Sequence, residues 1–329
     1  MIDPSMPEAQ FALAAVSEAT RLSRGIQSHL GQGTLQKKDR SPVTVADFSV
    51  QALIARRLWE AFPDDLLVAE EDSAPLQRPE NQPVLSEVVR WVNRFAPGLG
   101  PQEVCEWVDR GGQSPQERFW TLDPIDGTKG FLRGKHYAVA LALVEDGEVQ
   151  IGVMGCPHWS APQAWQENGP GGLVTAVRGQ GAWWRPLESQ EPFERLRVSE
   201  CSRADRARIL RSYEAAHTNT DKISRLAQLL GSQADPIRMD SQAKYAVLAS
   251  GRGDLLLRHL RPGQPNYRER IWDQAAGSLL TREAGGRITD LDGKELDFRA
   301  GRTLARNRGI VASNGRLHTA CLEALRQID

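Results

Sequence analysis

Two aspartates flank a proline and an isoleucine in the run RFWTLDPIDGTKGFLRG, residues 118–134. Asp123 closes an apolar stretch, Asp126 follows three positions later, and Gly127 and Thr128 come next. Pro124 fixes one backbone angle, so both carboxylates can point to one side with the Ile125 carbonyl between them. Gly127 allows a tight turn and a close approach to a ligand. A helix starting near Thr128 would offer free N–H groups to a phosphate. Metal and phosphate would then sit side by side, as metal-assisted phosphoryl transfer requires. Taken alone, the same residues also read as a capped acidic turn.

Three further segments carry acids beside apolar runs: Asp47 in VTVAD, Glu70 and Glu71 in LVAEED, and Asp273 in IWDQAAG. Carboxylates gathered at element ends repel one another unless cations neutralise them. An all-oxygen set suits Mg²⁺ or Mn²⁺ rather than Zn²⁺, which prefers Cys and His. Each segment has a plainer reading of its own. Asp47 and Asp273 each precede an expected helix and serve equally as caps, and EED is an ordinary solvated turn.

The elements that must position these acids follow from periodicity. Residues 6–30 have the apolar spacing of a half-buried helix. GQGTLQKKDRSPVTVAD interrupts it with glycines, charges and Ser-Pro and reads as a loop or loose hairpin. From Ala46 a second helix is expected, with Val50, Ile54, Leu58 and Phe62 on one face. LLVAEED is a short strand running into acids. Residues 73–117 form an irregular insert with short helices near 84–95 and 101–109. From 118 to about 198 the pattern is mostly β, with HYAVALALV and EVQIGVMGC as a hairpin about EDGE, and GLVTAVRG with GAWWRP as another. After 199, strand-like and helical runs alternate, the sign of an α/β region. Domains at 1–198 and 199–329 are therefore expected.

Composition limits the class. The chain has 329 residues, with 41 Lys and Arg against 42 Asp and Glu and a formal charge of −1. That balance argues against a nucleic-acid polymer as partner and favours a small acidic ligand held by local basic groups. No apolar run reaches the roughly 20 residues of a membrane helix, and the N-terminal stretch lacks the basic start of a signal peptide. Cys105, Cys156, Cys201 and Cys321 form no CxxC pair, which points to a reduced, cytoplasmic protein.

Together, AEED, LDPIDGT and WDQAAG resemble, in order, the motifs of the lithium-sensitive, magnesium-dependent phosphatases of the inositol monophosphatase and fructose-1,6-bisphosphatase superfamily. SPVTVADFSVQ, GTKGFLRG and MDSQAKYAVLASGRGDLLLR are similar to its 3'(2'),5'-bisphosphate nucleotidase branch. The resemblance spans about residues 10–315 and is weakest in the 73–117 insert. Alanine before the glutamates, where the family more often has glycine, is one departure.

The resemblance implies a layered αβαβα sandwich, α+β in its first half and α/β in its second. It implies that Glu70, Asp123, the Ile125 carbonyl, Asp126 and Asp273 hold two or three Mg²⁺ ions, with Mn²⁺ an acceptable substitute and Li⁺ inhibitory. Asp47 and Thr128 would orient and deprotonate the attacking water. Gly127 and Thr128 would hold the scissile phosphate. His217, Ser241, Lys244, Arg258 and Asp273 would contact a nucleotide and its remote phosphate. Ser241 and Lys244, three apart, are expected on one helix face. Read without the family, Ser241 is a cap, Lys244 a surface lysine and His217 a loop histidine. The implied activity is removal of the 3'-phosphate from adenosine 3',5'-bisphosphate, giving AMP, with 3'-phosphoadenylyl sulfate as a second substrate, by a monomer or homodimer. Two other readings stand beside it: an inositol phosphate phosphatase, and a non-catalytic metal or nucleotide sensor.

Overall fold

The computed structural model describes residues 6–30, 41–159, 169–212, 220–258 and 266–328. The chain begins with α1 (Pro7–Leu30) and α2 (Ser41–Ala61). Ala12, Val16, Ala19, Leu22 and Ile26 make the buried stripe of α1, and Val50, Ile54 and Leu58 that of α2, the three-and-four spacing of amphipathic helices. Helix α2 starts earlier than the sequence suggests. Ser41-Pro42, read as a break, instead opens the helix, because a proline in the first turn loses no hydrogen bond. Asp47 therefore lies inside α2 and is not its cap.

Next come β1 (Leu66–Ala69), α3 (Gln82–Val92), α4 (Pro101–Asp109), β2 (Arg118–Asp126), α5 (Thr128–Leu132), β3 (Ala138–Glu145), β4 (Glu148–Cys156), β5 (Gly172–Val177), β6 (Gly181–Pro186) and β7 (Glu194–Leu196). They build a seven-stranded sheet in the order β1 to β7. Only the first pair in it is parallel: β1 runs alongside β2, with Ala69 opposite Leu122. Parallel neighbours need a crossover, so the 73–117 insert has a topological task. It returns the chain to the starting edge so that β1 and β2 deliver their acids at the same end.

The rest of the chain forms β8 (Ile209–Arg211), α6 (Thr220–Leu229), β9 (Ile237–Arg238), α7 (Ala243–Ala249), β10 (Leu255–Arg258), α8 (Ala275–Glu283), β11 (Arg287–Thr289), β12 (Ile310–Ser313) and α9 (His318–Leu325). A five-stranded sheet results, in the order β11-β12-β10-β8-β9. Helices α1 and α2 cover one face of the first sheet, α7 and α8 lie between the sheets, and α6 and α9 cover the outer face of the second. This is the αβαβα sandwich. Strand β3 shows how the layers are specified: Val139, Leu141 and Leu143 face α1 and α2, while Ala138, Ala140 and Ala142 face α8. Small residues on the second face let α8 approach closely. One core cluster thus contains residues from both sides of position 198.

The glycine of WDQAAG belongs to this middle layer. A Cβ on Gly277 would fall 2.1 Å from the Tyr245 ring, and that ring is fully buried with its hydroxyl bonded to Gln274. Overpacking such a contact costs about 1–3 kcal/mol. Gly277→Ala is therefore expected to lose roughly that much stability in urea unfolding; an unchanged midpoint would contradict the packing described.

Candidate active site

Asp123 and Asp126 are three residues apart, an odd spacing that on a regular strand points side chains to opposite faces. The strand is not regular there. Asp123 pairs with Ala140, but Asp126 pairs with Ala138, so one extra residue sits in β2. That bulge, at Pro124-Ile125, brings the second carboxylate back to the side of the first. Pro124 suits it, having no N–H to give to the ladder. Glu70 continues β1 by one residue, and the register Ala69–Leu122 makes Asp123 its next neighbour. Asp273 arrives from the turn two residues ahead of α8, the helix layer between the sheets. Carboxylate oxygens of Asp123, Asp126 and Asp273 lie within 4.8 Å of one another.

These acids sit in a strained electrostatic setting. Asp123 is buried, and its Oδ1 has no hydrogen-bond partner among the described residues. Burial, followed by Glu70, Asp126 and Asp273, pushes its pKa well above the carboxylate range. Glu70 keeps an exposed side chain, yet desolvation among the surrounding atoms, together with Asp273, Glu71 and Asp126, raises it to about 8, against the pull of Arg270. Burial and Asp273 raise Asp126 to about 6, although Arg258, Lys244 and the Gln242 N–H favour its charged form. Asp47 is raised too, by burial and then by Glu71 and Glu70. An orphaned buried oxygen inside a cluster of mutually repelling acids fits a bound divalent cation, and the all-oxygen donor set fits a hard one.

The acids open into a cavity of about 430 Å³, within the range of small-molecule sites. Its walls carry the acids Glu70, Asp123, Asp126, Asp240 and Asp273 and the cations Lys129, Lys244, Arg258 and Arg270, with Ser212, Ser241 and Tyr267. Gly127, Thr128 and Gly130 form part of the wall. Thr128 begins α5, a helix of only five residues, so the macrodipole it offers is small. Helix α5 packs on α2, which carries Asp47. Another hollow, about 290 Å³ between β4 and α8, gathers no such acids; its Arg178 and Arg282 are paired with Glu148 and Glu295.

The residues expected to bind substrate differ in detail from their predicted arrangement. Ser241 does not share a helix face with Lys244: it precedes α7 with a φ of 70°, and its Oγ accepts the Ala243 N–H at 3.2 Å. Both residues line the cavity all the same. Lys244 is buried, and burial with Arg258 lowers its pKa to about 8; its Nζ donates to Ser212 Oγ and the Met239 carbonyl, both at 3.3 Å. Arg258 is ion-paired with Glu269 at 3.0 Å and Asp273 at 3.2 Å, which ties it directly to the acidic cluster. His217 lies outside the described residues.

Three positions were not foreseen. Gln51, one turn beyond Asp47 on α2, accepts the Glu71 N–H and donates to the Glu71 and Val108 carbonyls, fastening the Glu70 segment. Asp240 is ion-paired with Arg133 of the GFLRG tail. That clasp, the Gln242 N–H bond to Asp126, and a Gly127 with room for no Cβ (2.7 Å to Ser241 Cβ, at φ 93°) lock the DPIDGT turn onto the MDSQAK loop. Arg302, between β11 and β12, donates to the Ala69 carbonyl beside Glu70. The long-range pairings of Gln51 and Arg133 have no local sequence signal.

The chain belongs to the inositol monophosphatase family: a profile of that family matches residues 5–329. Within it, the chain is 39% identical over 348 residues to a 3'(2'),5'-bisphosphate nucleotidase of Emericella nidulans, covering 98% of both. It is 39% identical over 342 residues to the 3'(2'),5'-bisphosphate nucleotidase of Oryza sativa, covering 98% of this chain and 94% of the relative. Among solved structures it is similar to the Thermotoga maritima IMPase, with a TM-score of 0.64, 22% identity and 98% of both chains covered. The inositol monophosphatase from Anabaena gives a TM-score of 0.63 at 22% identity, with 97% and 95% covered. At that identity the solved neighbours establish the fold.

The raised acids set a pH dependence. Glu70, at about 8 in the fold against an ordinary 4.5, binds its proton more tightly folded than unfolded. Such a group's stabilising effect is full below the unfolded pKa and is lost as pH rises through the folded one. The metal-free protein should therefore lose melting temperature between about pH 4.5 and pH 8, and Mg²⁺ should restore most at the upper end. Thermal unfolding with and without Mg²⁺ measures this; a Mg²⁺ effect equal at pH 5 and pH 8 would contradict it.

Proposed function

We propose that this protein is a magnesium-dependent 3'(2'),5'-bisphosphate nucleotidase that hydrolyses adenosine 3',5'-bisphosphate to AMP and phosphate, and also accepts 3'-phosphoadenylyl sulfate. The observation that carries the reading is one cavity lined both by the acids Asp123, Asp126 and Asp273 and by the cations Lys244 and Arg258. A substrate with more than one phosphate, held beside a bound cation, suits that mixture of charges. The full-length likeness to proteins named for this activity supports the choice of substrate.

Glu70, Asp123, Asp126, Asp273 and the Ile125 carbonyl would hold the metal. Bound Mg²⁺ supplies charge neutralisation for the phosphate and a lowered pKa for water. The chain's own groups do the rest. The Thr128 hydroxyl and the Asp47 carboxylate orient the attacking water and take its proton. The Gly127–Thr128 backbone holds the 3'-phosphate for in-line attack, with no covalent phosphoenzyme. Ser241, Lys244 and Arg258 hold the nucleoside and the 5'-phosphate, and His217 joins them. Lys244, with a pKa of about 8, is mostly charged at neutral pH and gains from an anionic neighbour.

Among the described residues, no helix is long and apolar enough to cross a membrane. The cysteines are free thiols, in keeping with a proposed cytoplasmic location.

Phosphate release in Mg²⁺ should be fastest with adenosine 3',5'-bisphosphate and at least about tenfold slower with AMP, inositol 1-phosphate or inositol 1,4-bisphosphate, a gap of roughly 1.4 kcal/mol. Li⁺ should inhibit. A tenfold preference for an inositol phosphate would overturn the substrate, and no turnover of any would favour a sensor. Asp126→Asn should cut kcat roughly a hundredfold or more, a few kcal/mol of barrier, with the melting temperature retained. Full activity would remove Asp126 from the metal site.

A further inference from the structure

Glu70 follows a strand of the first sheet and Asp273 precedes a helix of the middle layer, so something must set their spacing. One side chain touches both supporting segments. Arg302 lies between β11 and β12, and its guanidinium crosses to the edge of the first sheet. Nη1 donates to the carbonyls of Gly111 at 3.1 Å and Gln113 at 2.9 Å. Nη2 donates to the carbonyl of Ala69, one peptide before Glu70. The same guanidinium lies over the Trp272 ring, 4.8 Å from its centroid, and Trp272 immediately precedes Asp273. The backbone repeats the link: the Arg302 carbonyl accepts the Ile271 N–H at 3.3 Å, and Thr303 bridges to Arg270.

The type of contact matters. These hydrogen bonds go to backbone carbonyls, which fixes the segments without occupying a carboxylate oxygen that a cation would use. A planar fork with five donors can serve several carbonyls and stack on a ring together; an ammonium cannot. The Gly111 carbonyl also accepts the Ala69 N–H at 2.8 Å, so Arg302 closes a small network around the last residue of β1.

We propose that Arg302 is a positioning residue for the metal site, holding the Ala69–Glu70 segment and the Trp272–Asp273 segment at the separation a divalent cation needs. This rests on the metal-dependent reading above. Groups that orient metal ligands typically change affinity 10- to 100-fold when removed.

The test uses the full-length protein and Mg²⁺ alone as the first probe. Mg²⁺ affinity is measured by calorimetry, and the Mg²⁺-induced rise in melting temperature is followed in parallel, for wild type, Arg302→Met, Arg302→Lys and a control, Arg299→Met. Arg299 comes from the same loop and also ties it to the first sheet, through the Asp146 carbonyl, but away from the acids. Mg²⁺ dependence of phosphate release is the second readout. Arg302→Met should weaken Mg²⁺ binding about tenfold or more, and kcat at saturating Mg²⁺ should fall much less than the half-saturation rises. Arg302→Lys should weaken it severalfold, and Arg299→Met should leave it unchanged. If Arg302→Met does not fold, Arg302→Lys decides. Wild-type Mg²⁺ affinity in a folded Arg302 variant, with only a lower melting temperature, would make Arg302 a mere staple and overturn the proposal. A wild type that binds no Mg²⁺ would instead overturn the metal-dependent reading, and the positioning role with it.

Discussion

Like-charge repulsion between crowded carboxylates, one buried and two half-buried, is the interaction on which the rest of this structure turns. Asp123, Asp126 and Asp273 present oxygens within 4.8 Å of one another. At an effective dielectric of about 20, one such ionised pair costs roughly 3–4 kcal/mol. Three mutual pairs approach the whole stability of a typical protein, about 5–15 kcal/mol. The cluster must therefore take up protons or a cation, and the elevated pKa values of Glu70 and Asp126 are the protonated half of that choice.

The fold can be understood as the device that keeps these groups together. The parallel pairing of β1 and β2 sets Glu70 beside Asp123, and the insert exists to return the chain for that pairing. The bulge in β2 corrects the odd spacing of Asp123 and Asp126. The Arg133–Asp240 clasp and the close fit of Gly127 against Ser241 bring the basic loop up to the acidic turn, so that one cavity holds both signs of charge. The packing of α8 against the small-residue face of the first sheet delivers Asp273 from the other direction.

Much of this could be read from the residues. The strand and helix periods of α1, α3, α4 and the β3–β4 and β5–β6 hairpins are local and strong. So are the acidic motifs, because special backbone residues cluster in them. Shorter elements escaped: β7 and β9 have three and two residues and no period to detect. The start of α2 was misplaced because Ser-Pro both ends and begins helices, and only the chain beyond it decides. The bulge could not be inferred from Asp-Pro-Ile-Asp alone, since it is defined by the partner strand. Gln51, Arg133 and Arg302 act on backbone groups or acids far away in sequence, and a polar residue's distant partner leaves no mark nearby. The tail GTKGFLRG separated the nucleotidase branch by resemblance; its arginine now has a physical task, holding Asp240 beside Ser241.

The most direct test of the central claim is the number of protons released when Mg²⁺ binds the free protein at pH 7, obtained by calorimetry in buffers of different ionisation enthalpy. Cation binding to carboxylates that are protonated in the fold must displace those protons. The account predicts release of about one proton or more per molecule, and less in Glu70→Gln, where Asp123 remains to release one. Tight Mg²⁺ binding with no proton release, or no binding at all, would contradict it.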